Sequence, residues 1–353
     1  MYLDPISDVD LRRTPDIAQN PGWYLFKFRG DGYKMSTVIP AHIAPTHGIP
    51  FIRRYMDIKT ITFGLFIILV IFAFACSNNK FFVSGGSNGS QGPEPMTLDV
   101  MSFNIRLDVD DGSNSWVYRK PIVEDYLNDL LPDIIGFQES LENQVRDLDE
   151  MLEDYDWVGD GRAEDLGGEA CPVFFNRNVF ELLDYDTFWL SDTPQIPGSK
   201  EPGAEFPRVV TWVQLEHRET GQVVYFFNTH FSHVSAEARA AATDIMSEKM
   251  ATIAGDHLTI AVGDLNFEID GDEYVNFSEV VNTNNNLDNV MNVADEVNIG
   301  ETTFNGFRLG TQRIIDFIFI SEDFEATFFQ VDEVIRNGVF ISDHWPLRAT
   351  ITH

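Results

Sequence analysis

Residues 258–266 read LTIAVGDLN, a mainly apolar run that ends in a glycine and two polar residues around Leu265. Residues 314–320 read IIDFIFI, a second apolar run that only Asp316 interrupts. Short runs of this kind are typical of strands that are buried on both faces. The two runs therefore predict a sheet that is covered on both sides.

Further strands are predicted around these runs, at residues 98–105, 133–138, 172–175, 180–190, 209–215 and 223–228. Helices are predicted where apolar residues recur three and four positions apart, at residues 119–131, 141–152 and 236–254. Ser235 is a suitable N-cap for the last of these. Because strands outnumber helices, the pattern favours two packed sheets with outer helices over a single doubly wound sheet.

The chain of 353 residues is strongly acidic, with 24 Lys or Arg, 56 Asp or Glu and a formal net charge of −32. The excess lies in residues 97–353, which carry 15 basic and 49 acidic side chains, or −34. This charge excludes a protein that holds nucleic acid mainly by electrostatic attraction. It does not exclude metal-dependent cleavage of phosphate esters, because bound cations reverse the local field. A surface adapted to high salt and an ordinary acidic surface both fit the composition.

The N-terminal part of the chain contains one uncharged apolar run at residues 61–75, which is shorter than the ~20 residues of a spanning helix. Met56, a short charged segment, this run and Ala75 before Cys76 are together typical of a bacterial lipoprotein signal. We therefore expect residues 56–76 to be a signal or anchor segment that is lipidated at Cys76. A non-cleaved membrane anchor and a buried helix are the alternatives.

This interpretation divides the rest of the chain. Residues 1–55 are expected to be a mis-assigned or disordered extension, and residues 77–96, rich in Gly, Ser and Asn, a flexible linker. Residues 97–353 show no internal repeat and no second linker, so they are predicted to form one domain. We expect that domain to be monomeric and anchored in the cell envelope outside the cytoplasm, with secretion as the second interpretation.

Polar residues recur at the ends of the predicted strands: Asn104, Glu139, His230, Asp264, Asn266, Asp343 and His344. Taken alone, the Asn, Asp and Glu residues are explained by turns, and His230 by a half-buried histidine with satisfied hydrogen bonds. Asp316 is different, because a carboxylate inside an apolar strand needs a partner such as a protonated histidine or a metal ion. Together, two His, four carboxylates and two Asn at strand ends predict a catalytic site.

The order of these motifs resembles the endonuclease/exonuclease/phosphatase superfamily of metal-dependent phosphoesterases, to which DNase I belongs. The matching runs are SFNIR at 102–106, PDIIGFQE at 132–139, NTH at 228–230, GDLN at 263–266, IDFI at 315–318 and SDHWPL at 342–347. The resemblance spans residues 98–350 and departs visibly only at Leu265, where the family more often has Phe. It implies a four-layered αββα sandwich of two mixed β-sheets with outer helices, and a site at one end of the sheets.

The resemblance also implies a metal site. Glu139 would be the main ligand of Mg²⁺ or Mn²⁺, with Asn104 and Asp343 beside it. These hard oxygen ligands suit such ions, which cancel charge on the phosphoryl oxygens and on the leaving group.

The remaining motif residues receive catalytic roles from the same resemblance. Asp264 would orient or deprotonate the attacking water, and Asn266 would hold that water and a phosphate oxygen. His230 and His344 would bind the scissile phosphate, and Asp316 would pair with His344. A histidine held by an aspartate is more readily protonated and donates a hydrogen bond to the developing charge.

Three further residues are candidates for substrate binding. Arg106 lies two residues after Asn104 and is expected to point to the same side. Arg208 enters a predicted strand and resembles a substrate-facing arginine of bacterial family members, although a surface ion pair explains it equally well. Trp116, within residues 113–119, is expected to lie on a loop over the site and to offer a stacking surface. In addition to these three, Phe304 is expected to form another wall of the site.

We therefore expect a Mg²⁺-dependent hydrolase of a phosphodiester or phosphomonoester, such as a phospholipid head group, an inositol phosphate or a nucleotide. A nuclease acting on DNA or RNA is the alternative within the same class. A non-catalytic surface binding protein on the same fold is the alternative from another class, and it predicts gaps among the catalytic positions.

Overall fold

A computed structural model describes residues 23–30, 33–40, 95–165 and 167–353. The chain divides into two compact units, Met1–Asn88 and Gly89–His353. In the first unit, strands β1 (Trp23–Gly30) and β2 (Tyr33–Pro40) pair antiparallel, with Trp23 opposite Pro40. The sequence analysis assigned no element here and missed the Asp-Gly pair at 31–32, which is typical of a two-residue hairpin turn.

The proposed signal and anchor segment, Cys76 and most of the proposed linker lie outside the described residues. Within the described residues, no helix is long and apolar enough to cross a membrane. The second unit includes Met96, which is fully buried and exchanges backbone hydrogen bonds of 2.9 and 2.8 Å with His353. Met96 therefore packs with the domain that was predicted to start at residue 97.

The second unit contains two large mixed sheets. The first has six strands, in the order β11 (Leu287–Asn289), β13 (Asp316–Ser321), β10 (Leu258–Asp264), β9 (Val223–His230), β8 (Val209–His217) and β7 (Phe180–Trp189). The second has seven, in the order β12 (Glu296–Asn298), β14 (Glu325–Val331), β17 (Leu347–Thr352), β3 (Thr97–Asn104), β4 (Ile134–Gln138), β6 (Val173–Asn176) and β5 (Tyr155–Val158). A short ribbon joins β15 (Ile335–Arg336) to β16 (Val339–Phe340).

Five helices accompany the sheets in the described part of this unit: α1 (Trp116–Leu130), α2 (Glu142–Met151), α3 (Ala236–Ile253), α4 (Asp272–Asn285) and α5 (Val290–Val293). The predicted N-cap of α3 is confirmed, because the Ser235 hydroxyl accepts a 3.1 Å hydrogen bond from the backbone N–H of Ala238. The predicted architecture of two packed mixed sheets with helices is likewise confirmed.

The two sheets approach each other closely between β4 and the pair β9 and β10. A Cβ atom added to Gly136 would lie 2.5 Å from Val262 Cγ2 and 2.8 Å from Asn228 Cγ, so only glycine fits there. Next to it, Gln138 donates a 2.7 Å hydrogen bond to the Asn228 side chain, which itself donates to the Phe137 carbonyl at 2.7 Å. This buried polar link holds the sheets together directly beside the strand ends that carry the predicted site.

Candidate active site

The site is built on two pairs of parallel strands, one pair from each sheet. In β3 and β4, Asn104 lies opposite Gln138, and in β9 and β10, His230 lies opposite Asp264. The carboxyl ends of parallel strands meet at one edge of a sheet, so the polar residues that follow these strands come together.

Three residues directly after these strands adopt the left-handed backbone conformation. The φ angles are 57° at Arg106, 60° at Glu139 and 55° at Asn266. This conformation is uncommon for residues other than glycine and costs about 1–3 kcal/mol each. The chain therefore holds three sharp turns at the point where their side chains converge.

Asp264 lies at the centre of the site and is almost fully buried. Its Oδ2 accepts a 3.0 Å hydrogen bond from Asn104 Nδ2 and lies 3.4 Å from His230 Nε2 and 3.6 Å from His344 Nε2. Its Oδ1 accepts a 3.1 Å hydrogen bond from the backbone N–H of Asn266. Burial, followed by the charge of a nearby aspartate, raises the pKa of this carboxyl.

His344 and Asp316 form the predicted pair. His344 Nδ1 lies 2.9 and 3.0 Å from the two Asp316 carboxylate oxygens, which explains how β13 tolerates an aspartate among apolar residues. Burial would lower the pKa of His344, but Asp316 and Asp264 outweigh it and raise the pKa to about 10. The Phe304 ring packs edge-on against the imidazole at 4.9 Å and fixes its other side.

His230 occupies the opposite side of Asp264. The Asn266 amide donates to the Phe231 carbonyl at 3.2 Å, which fixes the amide orientation and brings Nδ2 2.9 Å from His230 Nε2. His230 Nδ1 is buried and has no hydrogen-bond partner within the described residues. Burial, and then the charge of Arg208, lowers the pKa of His230 well below its usual value.

The donors beside Asp264 fit a hard divalent cation. One ligand atom each of Glu139, Asp264 and His344 lies within 4.8 Å of the other two. Asn104 Nδ2 donates to Glu139 at 3.2 Å as well as to Asp264. Oxygen ligands are those that Mg²⁺ and Mn²⁺ prefer, and a cation offsets the cost of burying neighbouring carboxylates.

Asp343, the third predicted metal ligand, lies on the far side of Arg106. The Arg106 guanidinium is 3.8 Å from both Asp343 Oδ2 and Glu139 Oε2, so these two acids already share one positive charge. The sequence analysis combined Glu139 with Asn104 and Asp343, and within the described residues Glu139 also forms a cluster of possible ligand atoms with Asp264 and His344.

These residues line a pocket of about 380 Å³. The sequence analysis placed Arg106, Glu139, Arg208, His230, Asp264, Asn266, Phe304, Asp343 and His344 at the site, and all of them line the pocket. Asn104 and Asp316 are buried just behind it and reach it through their partners. The structure thus brings together all eight predicted catalytic and metal-ligating residues.

The expectation for Trp116 is wrong. This residue begins helix α1, is only 3% exposed and donates a 2.7 Å hydrogen bond from its indole to Asp147. Residues 112–114 form a short 3₁₀ turn that leads into this helix, so the segment is not a loop over the pocket.

Other pocket residues were missed by sequence reasoning: Arg162, Glu169, Phe206, His233 and Arg313. Phe206 and His233 stack with a ring separation of 6.4 Å, and the Arg162 guanidinium lies 4.6 Å from the Phe206 ring. The loops that carry them have no periodic pattern. The only sequence signal was that Phe206 lies close to Arg208 and His233 close to His230 along the chain; Arg162, Glu169 and Arg313 had none.

Comparisons with known proteins identify the family of this chain. A family model described as "Endonuclease/Exonuclease/phosphatase family" matches residues 101–344. A search of curated proteins returned no match.

Solved structures are also similar. An endonuclease/exonuclease/phosphatase from Bacteroides vulgatus is 32% identical, with a TM-score of 0.68 over 72% of this chain and 98% of that chain. A mannosyl-6-phosphatase from Bacteroides thetaiotaomicron is 28% identical, with a TM-score of 0.66 over 72% and 99%. The human Nocturnin catalytic domain with bound sulfate, 19% identical with a TM-score of 0.58 over 72% and 94%, shares the fold. Together with the family model, these similarities show that the chain belongs to the endonuclease/exonuclease/phosphatase family, whose members are phosphoesterase hydrolases.

Proposed function

We propose that this protein is a divalent-metal-dependent phosphoesterase that hydrolyses a small phosphate ester by attack of water. The observation that carries the proposal is the environment of Asp264. One buried carboxylate lies within 3.6 Å of two histidine side chains and shares a ligand cluster with Glu139.

In this proposal, Glu139 holds the metal ion together with Asn104 and a second carboxylate, Asp264 or Asp343. When bound, Mg²⁺ or Mn²⁺ would neutralise charge on the phosphoryl oxygens and the leaving group. Arg106 then stands beside the site as a fixed positive charge that is already in contact with Glu139 and Asp343.

Side chains of the protein provide the other catalytic functions. A carboxylate with a raised pKa is a stronger base, so Asp264 is suited to take a proton from the attacking water. His344, protonated and held by Asp316, donates a hydrogen bond to a phosphate oxygen as charge develops there. Asn266 and His230 position the water and the phosphate from the other side. Positioning and charge stabilisation are most of what phosphoryl transfer requires.

The pocket favours a small substrate over a nucleic acid. Four arginines line it, although residues 97–353 carry a formal charge of −34. The arginines of the pocket can bind one phosphate group, whereas the negative surface around the pocket repels an extended phosphate backbone. The similarity to a mannosyl-6-phosphatase supports a small ester in the same way.

The non-catalytic alternative is disfavoured because it predicts gaps among the catalytic positions. All eight are filled by groups able to do the chemistry, and three of them, Asp264, Asp343 and His344, are buried acids or histidines with raised pKa values. Such perturbed groups in a cleft are typical of active sites.

The proposal is tested with the purified full chain and a panel of esters: DNA, RNA, sphingomyelin, inositol polyphosphates, nucleotides and sugar phosphates. We expect hydrolysis of at least one small ester with Mg²⁺ or Mn²⁺ and none with a chelator. Glu139→Gln should reduce the rate by more than the about 10- to 100-fold that is typical when a metal site loses a residue that only supports a ligand. Full activity in this variant or in the presence of chelator would overturn the proposal.

We further propose that the protein is lipid-anchored at Cys76 and acts in the cell envelope outside the cytoplasm. The support is the sequence of residues 56–76 alone. Labelled fatty acid should enter the protein, and Cys76→Ser should abolish the label and release the protein from membranes. Unchanged labelling of that variant would refute the anchor.

A further inference from the structure

Four arginines line the pocket, and they differ in what neutralises them. Three pair with a carboxylate: Arg106 with Asp111 at 3.1 Å, Arg162 with Glu169 at 2.5 Å and Arg313 with Glu268 at 2.6 Å. Arg208 is the exception, because no carboxylate oxygen of residues 95–165 or 167–353 lies within 4.0 Å of its guanidinium nitrogens. Its positive charge is therefore available to an anion that binds in the pocket.

Arg208 is also well buried, with 7% of its surface exposed. Its Nη2 lies 3.2 Å from His233 Nδ1, and since a guanidinium only donates, this imidazole nitrogen accepts. The proton of His233 then lies on Nε2, which faces Glu205 at 3.5 Å. His233 thus orients the guanidinium without neutralising it. Glu169 and Asp264 act on Arg208 only from beyond 4.0 Å, and a buried charge without a directly paired counter-charge is costly, which indicates an anionic ligand.

The position of Arg208 identifies that anion. Arg208 lines the main pocket with His230 and Asp264, and a narrow recess behind it with His230 and Glu139. His230, one of the two histidines proposed to bind the scissile phosphate, lines both cavities together with Arg208. The anion at Arg208 is therefore the reacting phosphate itself and not a remote group of the substrate.

The negative charge of the phosphate ester determines whether it needs Arg208 as a further cation. A phosphodiester has one negative charge and two non-bridging oxygens, whereas a monoester has three such oxygens and close to two negative charges at pH 7. We propose that Arg208 binds the third non-bridging oxygen of a phosphomonoester and so makes the pocket selective for monoesters over diesters. This inference rests on the proposed phosphoesterase activity.

The test compares p-nitrophenyl phosphate with bis-p-nitrophenyl phosphate, using the full chain with Mg²⁺. We expect the wild type to prefer the monoester. Arg208→Gln should lower kcat/KM for the monoester about 10- to 100-fold more than for the diester, the value of one charge-assisted hydrogen bond. Arg208→Lys should recover part of the preference. Arg313→Gln is the matched control, because this pocket arginine is already neutralised and should change both rates by a similar factor.

A wild-type preference for the diester, or an equal loss on both esters in Arg208→Gln, would overturn the inference. If the wild type hydrolyses neither of these esters nor any ester of the panel, the proposed function fails instead, and the role of Arg208 is tested by binding. Calorimetry should then show that inorganic phosphate binds more tightly than dimethyl phosphate and that Arg208→Gln removes the difference. Equal binding of the two anions by the wild type would reject the role. Circular dichroism shows whether Arg208→Gln is folded. If this variant is unfolded, Arg208→Lys is used in its place in both assays.

Discussion

Asp264 is buried beside Asn104, His230 and His344, and burial together with the charge of Asp316 raises the pKa of its carboxyl. Burying such a group for chemistry costs stability. We therefore expect Asp264→Asn to lower kcat by about 10²- to 10⁴-fold, the usual contribution of a general base, with thermal stability unchanged or raised. Steady-state kinetics and thermal melting of the same sample measure both.

Asp332 offers a matched control for this variant. It is also a buried aspartate, but it accepts hydrogen bonds from Tyr126 and Arg348 and does not line the pocket. Asp332→Asn should lower the melting temperature and leave the activity of the folded protein unchanged. If Asp264→Asn lost stability and kept activity like the control, its proposed role as the base would be wrong.

Residues with a fixed chemical task were predictable from the sequence, whereas those that shape the pocket were not. Asp316 was recognisable because an acid inside an apolar run needs a partner, and His344 provides it. Arg162 and His233 lie on loops, where no periodicity relates position to environment, and only the fold brings them to Arg208. Trp116 was misplaced because an aromatic residue near a motif does not reveal whether it begins a helix.

At the scale of elements, the closest packing between the two sheets depends on Gly136 in β4. A methyl group there would overlap Val262 and Asn228 at 2.5–2.8 Å, in a region with no free space. We expect Gly136→Ala to destabilise the protein by about 1–3 kcal/mol through overpacking. Urea denaturation measures the change. Gly221→Asn is the control, because a side chain at Gly221 meets nothing within 4 Å and asparagine tolerates its φ of 72°. A similar loss in both variants would contradict the packing argument.

Asp133, at the start of β4, gives stability a pH dependence. Its Oδ2 accepts a 2.8 Å hydrogen bond from the Asp99 backbone N–H, and burial raises its pKa to about 6. The unfolded value is about 3.9, so between pH 4 and 6 the folded protein binds more protons at this site than the unfolded one. The contribution of Asp133 to stability is therefore highest below pH 4 and is lost as the pH rises to 6.

Asp133→Asn removes this titration. We expect the variant to be as stable as the wild type near pH 4 and more stable above pH 6, by on the order of 2 kcal/mol. Urea unfolding at several pH values measures the difference between the two proteins, which cancels the titration of the other acids. A difference that stays constant from pH 4 to 7 would contradict the assignment.

Elements with strong local patterns were predicted, and those defined by distant pairing were not. Strand β10 and helix α3 follow from an apolar run and a cap. Strand β17, in contrast, pairs with β3 across about 250 residues, and no local signal marks that partner. The sequence of the loop at 302–307 does not predict its contacts either. The Thr303 hydroxyl accepts a hydrogen bond from the backbone N–H of Asp316, and the Thr303 carbonyl accepts one from the backbone N–H of Trp345. The fold class and the pairing of Asp316 with His344 were therefore accessible from the sequence, and the contacts of Thr303 with Asp316 and Trp345 were not.

For the molecule as a whole, the charge of residues 97–353 opposes folding in dilute buffer, because like charges repel most in the compact state. Salt screens this repulsion, since the Debye length falls from about 10 Å at 0.1 M to about 3 Å at 1 M. We expect the melting temperature to rise by at least about 3 °C between low salt and 1 M NaCl, which corresponds to about 1 kcal/mol for a domain of this size.

A variant with fewer like charges separates screening from other effects of salt. Asp244 and Glu248 are exposed and lie four residues apart on α3, where like charges repel. The double variant Asp244→Asn, Glu248→Gln should melt at a higher temperature than the wild type in low salt and gain less from 1 M NaCl. If the wild type instead lost stability with salt, its ion pairs would outweigh the repulsion. The acidic surface would then be an ordinary one and not an adaptation to salt.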